Sequence, residues 1–421
     1  MRPSPVPAVT FLVAVAATPY PGSYWAVAGL ALVVLAQAAS VPGPLRVGRA
    51  VLLAVGWCGV TVLWSVAPSL TVRHLALLAL LTVAAALLPR VLGPLGVLAA
   101  LATACRVLLV ASWALYLLVP AVGRTQEVYQ YGTLEGVFVQ RNVAAFFYVA
   151  ATLTFLVRAA AGGARRRDLG WAGLAVATLL ATSSGTGLAV LMAAAGVTGA
   201  LVVASRARTV GRRRLVVAAA ILPAVGLALW LPFNLGVVSE LFGRDATLTG
   251  RSVIWDVVER VVAESPWLGQ GSGALWVAGV PVTDHMWAQT GFAFYHAHSA
   301  YLDHLVQTGV VGLALVLAVV LLALRRSVRR LVASGDVLAM WPAGTLVCLL
   351  FYGIDEQSFA SSFGWLLVVL AAALAAPDGA ATPEVSSLGR TRLEPSSRAV
   401  RLRTQPLGPS GRTAMEVSGV R

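Results

Sequence analysis

Lysine is absent from this 421-residue chain, and charged residues of every kind make up only 11% of it. Soluble domains carry about a quarter charged residues, so this composition cannot cover a water-exposed surface. Hydrophobic residues reach 58%, and that excess must face lipid. Cysteine is scarce as well. Cys58, Cys105 and Cys348 each lie inside an apolar run, and an odd number without metal-ligand spacing excludes a complete disulfide framework or a cysteine metal site. The basic residues are therefore all arginine, and they bring the formal net charge to +14. They stand in short clusters between apolar runs, as in the cytoplasmic loops of membrane proteins. A nucleic-acid-binding face would instead gather them to neutralise phosphates, so no nucleic-acid partner is expected.

A helix needs about 20 apolar residues to cross a bilayer. Runs of that kind fall at roughly 6–19, 24–41, 50–66, 74–89, 95–119, 142–160, 169–183, 186–204, 215–233, 298–324, 337–353 and 359–376. The expected fold is all-α, a polytopic membrane protein of about a dozen transmembrane helices. The first run is short enough for a signal peptide. Because Tyr20, Pro21 and Gly22 lead straight into a second run at Tyr24, a helical hairpin fits better.

Arginine clusters at 165–167, 206–214 and 325–330, and in the tail beyond Pro377, orient the chain by the positive-inside rule. Alternate crossings satisfy all of them with both termini in the cytoplasm, in a plasma membrane. Residues 1–377 are expected to form the membrane domain, and 378–421 a disordered basic tail. Two loops fall outside, 120–141 and the longer 234–297, the second carrying short helices. Arg106 lies within a run, where a charge costs about 2.5–3.5 kcal/mol. It marks either an anionic contact inside the bundle or a broken span.

The long outer loop holds the residues best suited to chemistry. Ile254, Val258 and Val261 recur at helical spacing and predict an amphipathic helix. Arg251 starts it, where free backbone N–H groups favour an anion and a guanidinium matches phosphate oxygens in pairs. Arg251 reads as a diphosphate contact or as an ordinary solvated arginine at a helix start. At the loop's end stand His296 and His298, followed by Ser299, Tyr301 and Asp303. A histidine of ordinary pKa, about 6.5, is largely neutral at pH 7 and can take a proton from a hydroxyl. A metal pair and an interfacial structural role are the other readings, and no third ligand stands at a telling spacing. Arg141 closes the shorter outer loop on the same side as Arg251. Ser183, Ser184, Gly185 and Thr186 mark an outer turn whose small polar residues suit the backbone groups of a broken helix.

These stretches together resemble the O-antigen ligase and polysaccharide polymerase family of integral membrane glycan transferases. The resemblance covers chiefly residues 130–375. It rests on His298-Ser299, Tyr301-Leu302, Gln307, Gly309 and Gly312-Leu313, and on Gly250-Arg251 with Ile254-Trp255, Pro266, Leu268 and Gly269. Arg141-Asn142 at the start of a middle span and the acidic pair Asp355-Glu356 in the last outer turn agree with it. Two departures stand out. Ser299 replaces the family's usual Asn, and the turn Ser184-Gly185-Thr186 lacks an arginine that many members carry, leaving Arg141 or Arg106 to substitute.

The resemblance implies transfer of a glycan from a polyprenyl-diphosphate carrier to an acceptor hydroxyl, on a glycan or a lipid, at the outer face. It implies inversion and needs neither metal nor cofactor. His298 would be the base, with His296 as second choice. Arg251 and Arg141 would bind diphosphate, supported by Ser299, Tyr301, Asp355, Glu356 and Arg106. Trp255, Trp276 and Trp287 would stack on sugars. A transporter or flippase of lipid-linked saccharide is the alternative, and it predicts intramembrane charges along a path and symmetric halves.

Overall fold

The chain begins its described course with α1, Arg49–Val60, and a 3-10 turn over Thr61–Leu63. The computed structural model describes residues 45–126, 130–138, 140–162, 164–230 and 251–376, with isolated positions 29, 36 and 39, all within one unit, Met1–Ala381. The expected span 6–19, all of 24–41 but those three positions, loop residues 234–250 and the tail 378–421 lie outside the described residues.

Helix α2 runs over Pro68–Leu118, but Gly93 breaks it with φ 67° between Pro89 and Pro94. Proline removes a helical hydrogen bond and glycine accepts the left-handed turn, so α2 is two arms. Then follow α3 (Pro120–Gly123), α4 (Arg141–Ala160), α5 (Arg165–Ala181), α6 (Gly185–Arg206) and α7 (Val210–Trp230). The remaining helices are α8 (Arg251–Glu264), α9 (Pro281–Thr290), α10 (Ala300–Ser334), α11 (Met340–Asp355) and α12 (Ser362–Leu374). Among the described residues there is no strand, only an isolated bridge between Arg124 and Leu134. The all-helical expectation holds. Five helical segments are long and apolar enough to cross a membrane, namely α2, α4, α6, α10 and Val337–Asp355, while the described structure does not establish a dozen crossings.

The main core is aromatic and alanine-rich. Trp341, Tyr148, Tyr352, Phe147, Phe155 and Phe359 are fully buried, and Ala144, Ala145 and Ala151 of α4 let neighbouring helices approach closely. Buried indoles need partners for their N–H groups. Trp341 donates to Thr154 Oγ1 and Trp365 to Thr82 Oγ1, each at 3.0 Å. Residues beyond Arg251 build a smaller core, in which Ile254, Val258 and Val261 of α8 meet Leu275, Met286 and Phe294.

Helix α10 bends where Gly309 takes φ 65°. The bend frees backbone groups, and the loop after α8 satisfies them. Gln270 and Gly271 N–H donate to the Val306 and Gln307 carbonyls at 2.9 Å, and Val310 N–H donates to Pro266 O at 2.8 Å. A Cβ on Gly309 would stand 2.1 Å from the Trp267 carbonyl oxygen, and one on Gly269 would stand 2.4 Å from the Gln307 backbone. The approach needs glycine on both sides.

Arg106 is engaged within the bundle, away from Arg251 and His298. Its Nη2 lies 2.6 Å from Asp168 Oδ1, and Arg158 Nε lies 3.3 Å from the other oxygen of the same buried carboxylate. The guanidinium also lies over the Phe155 and Trp171 rings. An intramembrane charge is costly alone and tolerable when paired, and this ion-pair network gives Arg106 a structural account within the bundle.

Candidate functional site

Helix α11 ends on two carboxylates, Asp355 and the capping residue Glu356. A helix C-terminus carries partial negative charge and disfavours acids, so other groups must hold them there. Arg251, the first residue of α8, does so. Its Nη1 contacts Asp355 Oδ1 and its Nη2 lies 2.5 Å from Glu356 Oε1. Arg251 is 6% exposed and Glu356 4%, so the interaction is largely shielded from water. Burial alone would raise the Glu356 carboxyl, but Arg251 and then His298 outweigh it and hold it well below the usual carboxylate range. Burial likewise opposes the Arg251 charge, and Glu356 and Asp355 reverse that effect, raising its pKa above the ordinary value.

The first turns of four helices converge on this acidic pair. Asn142 of α4 donates Nδ2–H to Glu356 Oε1 at 2.6 Å, and its Oδ1 accepts from the Ser184 hydroxyl at 3.1 Å. Thr186 of α6 donates to Asp355 Oδ2 at 2.5 Å. The Ala300 N–H of α10 donates to the Glu356 carbonyl at 3.0 Å, and Arg251 belongs to α8. Helix N-termini favour negative charge, which suits the two carboxylates held here.

The two histidines enter from the segment that leads into α10. Their ring centroids are 3.9 Å apart. The backbone N–H of His298 donates to His296 Nδ1 at 3.1 Å, which commits that lone pair and leaves Nε2 to carry the His296 proton. Burial pushes the His296 imidazole down to about 3, with His298 adding to the effect. His296 is thus a buried, neutral strut for the loop. His298 differs. Its side chain is 17% exposed and its Nδ1 stands 3.5 Å from Glu356 Oε2, beyond the usual N–H···O length of about 2.9–3.0 Å. That Nδ1 has no hydrogen-bond partner among the described residues.

Other sequence-selected residues fall into supporting places. Ser299 caps α10, its hydroxyl accepting from Leu302 N–H and donating to Gly353 O at 3.3 Å; it is not paired with a histidine ring. Tyr301 donates to Leu350 O at 3.0 Å and packs edge-on against Phe359. Arg141 is buried, and its Nη1 donates to the Ser183 carbonyl at 2.9 Å, bracing the turn before α6. The three selected indoles all donate to the histidine segment: Trp255 to Ala297 O, Trp276 to Asp303 Oδ1 and Trp287 to Phe294 O, at 2.8–2.9 Å. Asn142, Ser184 and Thr186 also border the site; Ser184 and Thr186 had stood out only as small polar residues of a turn. Asn142 had appeared only as the companion of Arg141.

His296, His298 and Glu356 form a group whose potential metal-ligating atoms lie within 4.8 Å of one another. Glu356 is the third potential ligand, which spacing in the sequence did not reveal. A cation here would share that carboxylate with the Arg251 guanidinium 2.5 Å away, and like charges so close disfavour it. The residues fit an ion-paired, hydrogen-bonded cluster better than a metal centre. The cavity lined by His74, Ser272, His304, Gln307 and Phe359 lies elsewhere, since neither Arg251, His298 nor Glu356 borders it.

Comparison with known proteins yields two matches. A family model described as O-antigen ligase matches residues 171–317, a range that includes Arg251, His296 and His298 but not Arg141 or the acidic pair. The exopolysaccharide production protein ExoQ of Rhizobium meliloti (strain 1021) is 26% identical over 305 residues, covering 65% of this chain and 64% of that protein.

Proposed function

We propose, from the similarity of residues 171–317 to the O-antigen ligase family and of the chain to ExoQ, that it moves an oligo- or polysaccharide from a polyprenyl-diphosphate carrier to an acceptor hydroxyl, at the outer face of the plasma membrane. The observation that carries this reading is the meeting of Arg251 and His298 on one carboxylate, Glu356. A glycosyl diphosphate already has a good leaving group, so the main demand is stabilisation of the departing charge. Arg251 supplies it, with the helix N-termini around it and Arg141 behind the adjoining turn. His298 takes the proton from the acceptor hydroxyl as the oxygen attacks the anomeric carbon. The attack displaces the diphosphate from the opposite side, which inverts that centre. No step calls for a metal or cofactor. Trp255, Trp276 and Trp287, whose N–H groups are engaged nearby, would stack on sugars through their rings.

The test is a strain lacking this chain. A transferase leaves lipid-linked saccharide accumulated at the outer face, and His298→Ala and Arg251→Ala fail to relieve the accumulation although both proteins insert normally. Saccharide units trapped on the inner face would favour the flippase, and full-length polymer made by both variants would remove the catalytic assignment.

A further inference from the structure

The anion seat of Arg251 is taken. Both terminal nitrogens face carboxylates, one on Asp355 and one on Glu356, and the residue is 6% exposed. A guanidinium matches phosphate oxygens through the same paired N–H groups that match a carboxylate, so a diphosphate can reach it only by displacing one of them. Each carboxylate has another partner in place. Asp355 Oδ2 accepts from Thr186, and Glu356 accepts from Asn142. The second Glu356 oxygen faces the unpartnered Nδ1 of His298 across 3.5 Å. Moving about 0.5 Å would make this a hydrogen bond. Ser299, the immediate neighbour, is engaged with Leu302 and Gly353 and does not supply that partner.

We propose that Asp355 and Glu356 are the resting counter-anions of Arg251, that the donor's diphosphate displaces them, and that Glu356 then closes on His298 Nδ1. This deepens the function proposed above and rests on it. A carboxylate on Nδ1–H fixes the ring so that Nε2 is the free lone pair, and it stabilises the imidazolium formed when Nε2 takes the hydroxyl proton. Donor occupancy thereby prepares the base. Glu356 and Asp355 act through Arg251 and His298, so they are positioning residues.

The experiment measures inorganic pyrophosphate binding to the full-length protein in nanodiscs, alongside transfer kinetics. Asp355→Asn removes one competing charge and should bind pyrophosphate about tenfold more tightly than wild type, with a lower KM for donor. A merely structural role would not strengthen binding. Glu356→Gln should lower kcat about 10²-fold without raising the donor KM, and Glu356→Asp should restore part of kcat. Thr186→Val, which takes away the alternative partner of Asp355, should weaken pyrophosphate binding, and it serves if Asp355→Asn does not fold. Unchanged or weaker binding in a folded Asp355→Asn, or unchanged binding in Thr186→Val, overturns the displacement while leaving the transferase reading intact. Wild-type pyrophosphate binding by Arg251→Ala would sink the transferase reading itself.

Discussion

His298 occupies left-handed backbone, with φ 49°, a conformation that costs a residue with a Cβ about 1–3 kcal/mol. The His296 ring that accepts its N–H, and the three indoles tied to the same segment, hold it there. Acid should loosen this arrangement. The His296 pKa falls on folding from 6.5 to about 3, so between those values the unfolded chain binds a proton that the folded one refuses. Stability is therefore lost as pH drops below about 6.5. Glu356, depressed in the fold, adds a loss in the same direction once pH falls below the ordinary glutamate range. Thermal unfolding in detergent should shift down from pH 7 to pH 5, and His296→Asn, which cannot charge, should make the shift smaller. A shift in His296→Asn as large as in wild type would contradict the buried neutral imidazole. Arg251 and His298 were legible because a charge or an imidazole in so apolar a chain asks for an explanation. Glu356 was legible only as an acidic residue in a turn. Its bond to Asn142 joins residues 214 apart, and local pattern carries no such information. The same limit hid Asp168, 62 positions from Arg106.

At the scale of elements, the bend in α10 and the loop after α8 are one construction. The sequence showed its two halves, Pro266, Leu268 and Gly269 on one side and Gly309 and Gly312 on the other, but not that they touch. The apolar run across Gly309 reads as an unbroken helix, because periodicity registers side chains and not the backbone carbonyls released at a kink. Gly309→Ala should be destabilising by at least about 1–3 kcal/mol from the left-handed backbone alone, with the clash against Trp267 O added. The check is thermal unfolding and yield of the purified variant, with Gly48→Ala, where an added Cβ meets nothing, as the comparison. Equal stability of the two variants would contradict the described bend. In α8, by contrast, Ile254, Val258 and Val261 follow the 3.6-residue period of a half-buried helix and are buried. Periodicity was enough there.

For the whole molecule, composition settled the class of fold and arginine placement supplied an orientation. The native thiols Cys58, Cys105 and Cys348 are buried, which makes that orientation open to labelling. Ala288→Cys on α9 and Ala333→Cys at the far end of α10 both place a thiol at an exposed position. A membrane-impermeant maleimide added to intact cells should label the first and leave the second until the membrane is permeabilised. The reverse pattern would put the histidine loop on the cytoplasmic side, away from where the transfer is proposed. The number of crossings was not legible from the apolar runs. Apolar runs short of about 17–20 residues suit a tilted span, a buried helix or a re-entrant segment equally well.

The account depends on Arg251 and His298 serving a single reaction, and a double-mutant comparison of transfer rate tests that most directly. Purified wild type, Arg251→Ala, His298→Ala and the double variant would be assayed with a lipid-diphosphate-linked glycan and an acceptor. Each single change is expected to lower the rate by about 10²-fold or more. The double variant should be little worse than the poorer single, because groups that act as a unit are not additive. Either single variant running at the wild-type rate, or losses that multiply in full as for independent positions, would contradict it.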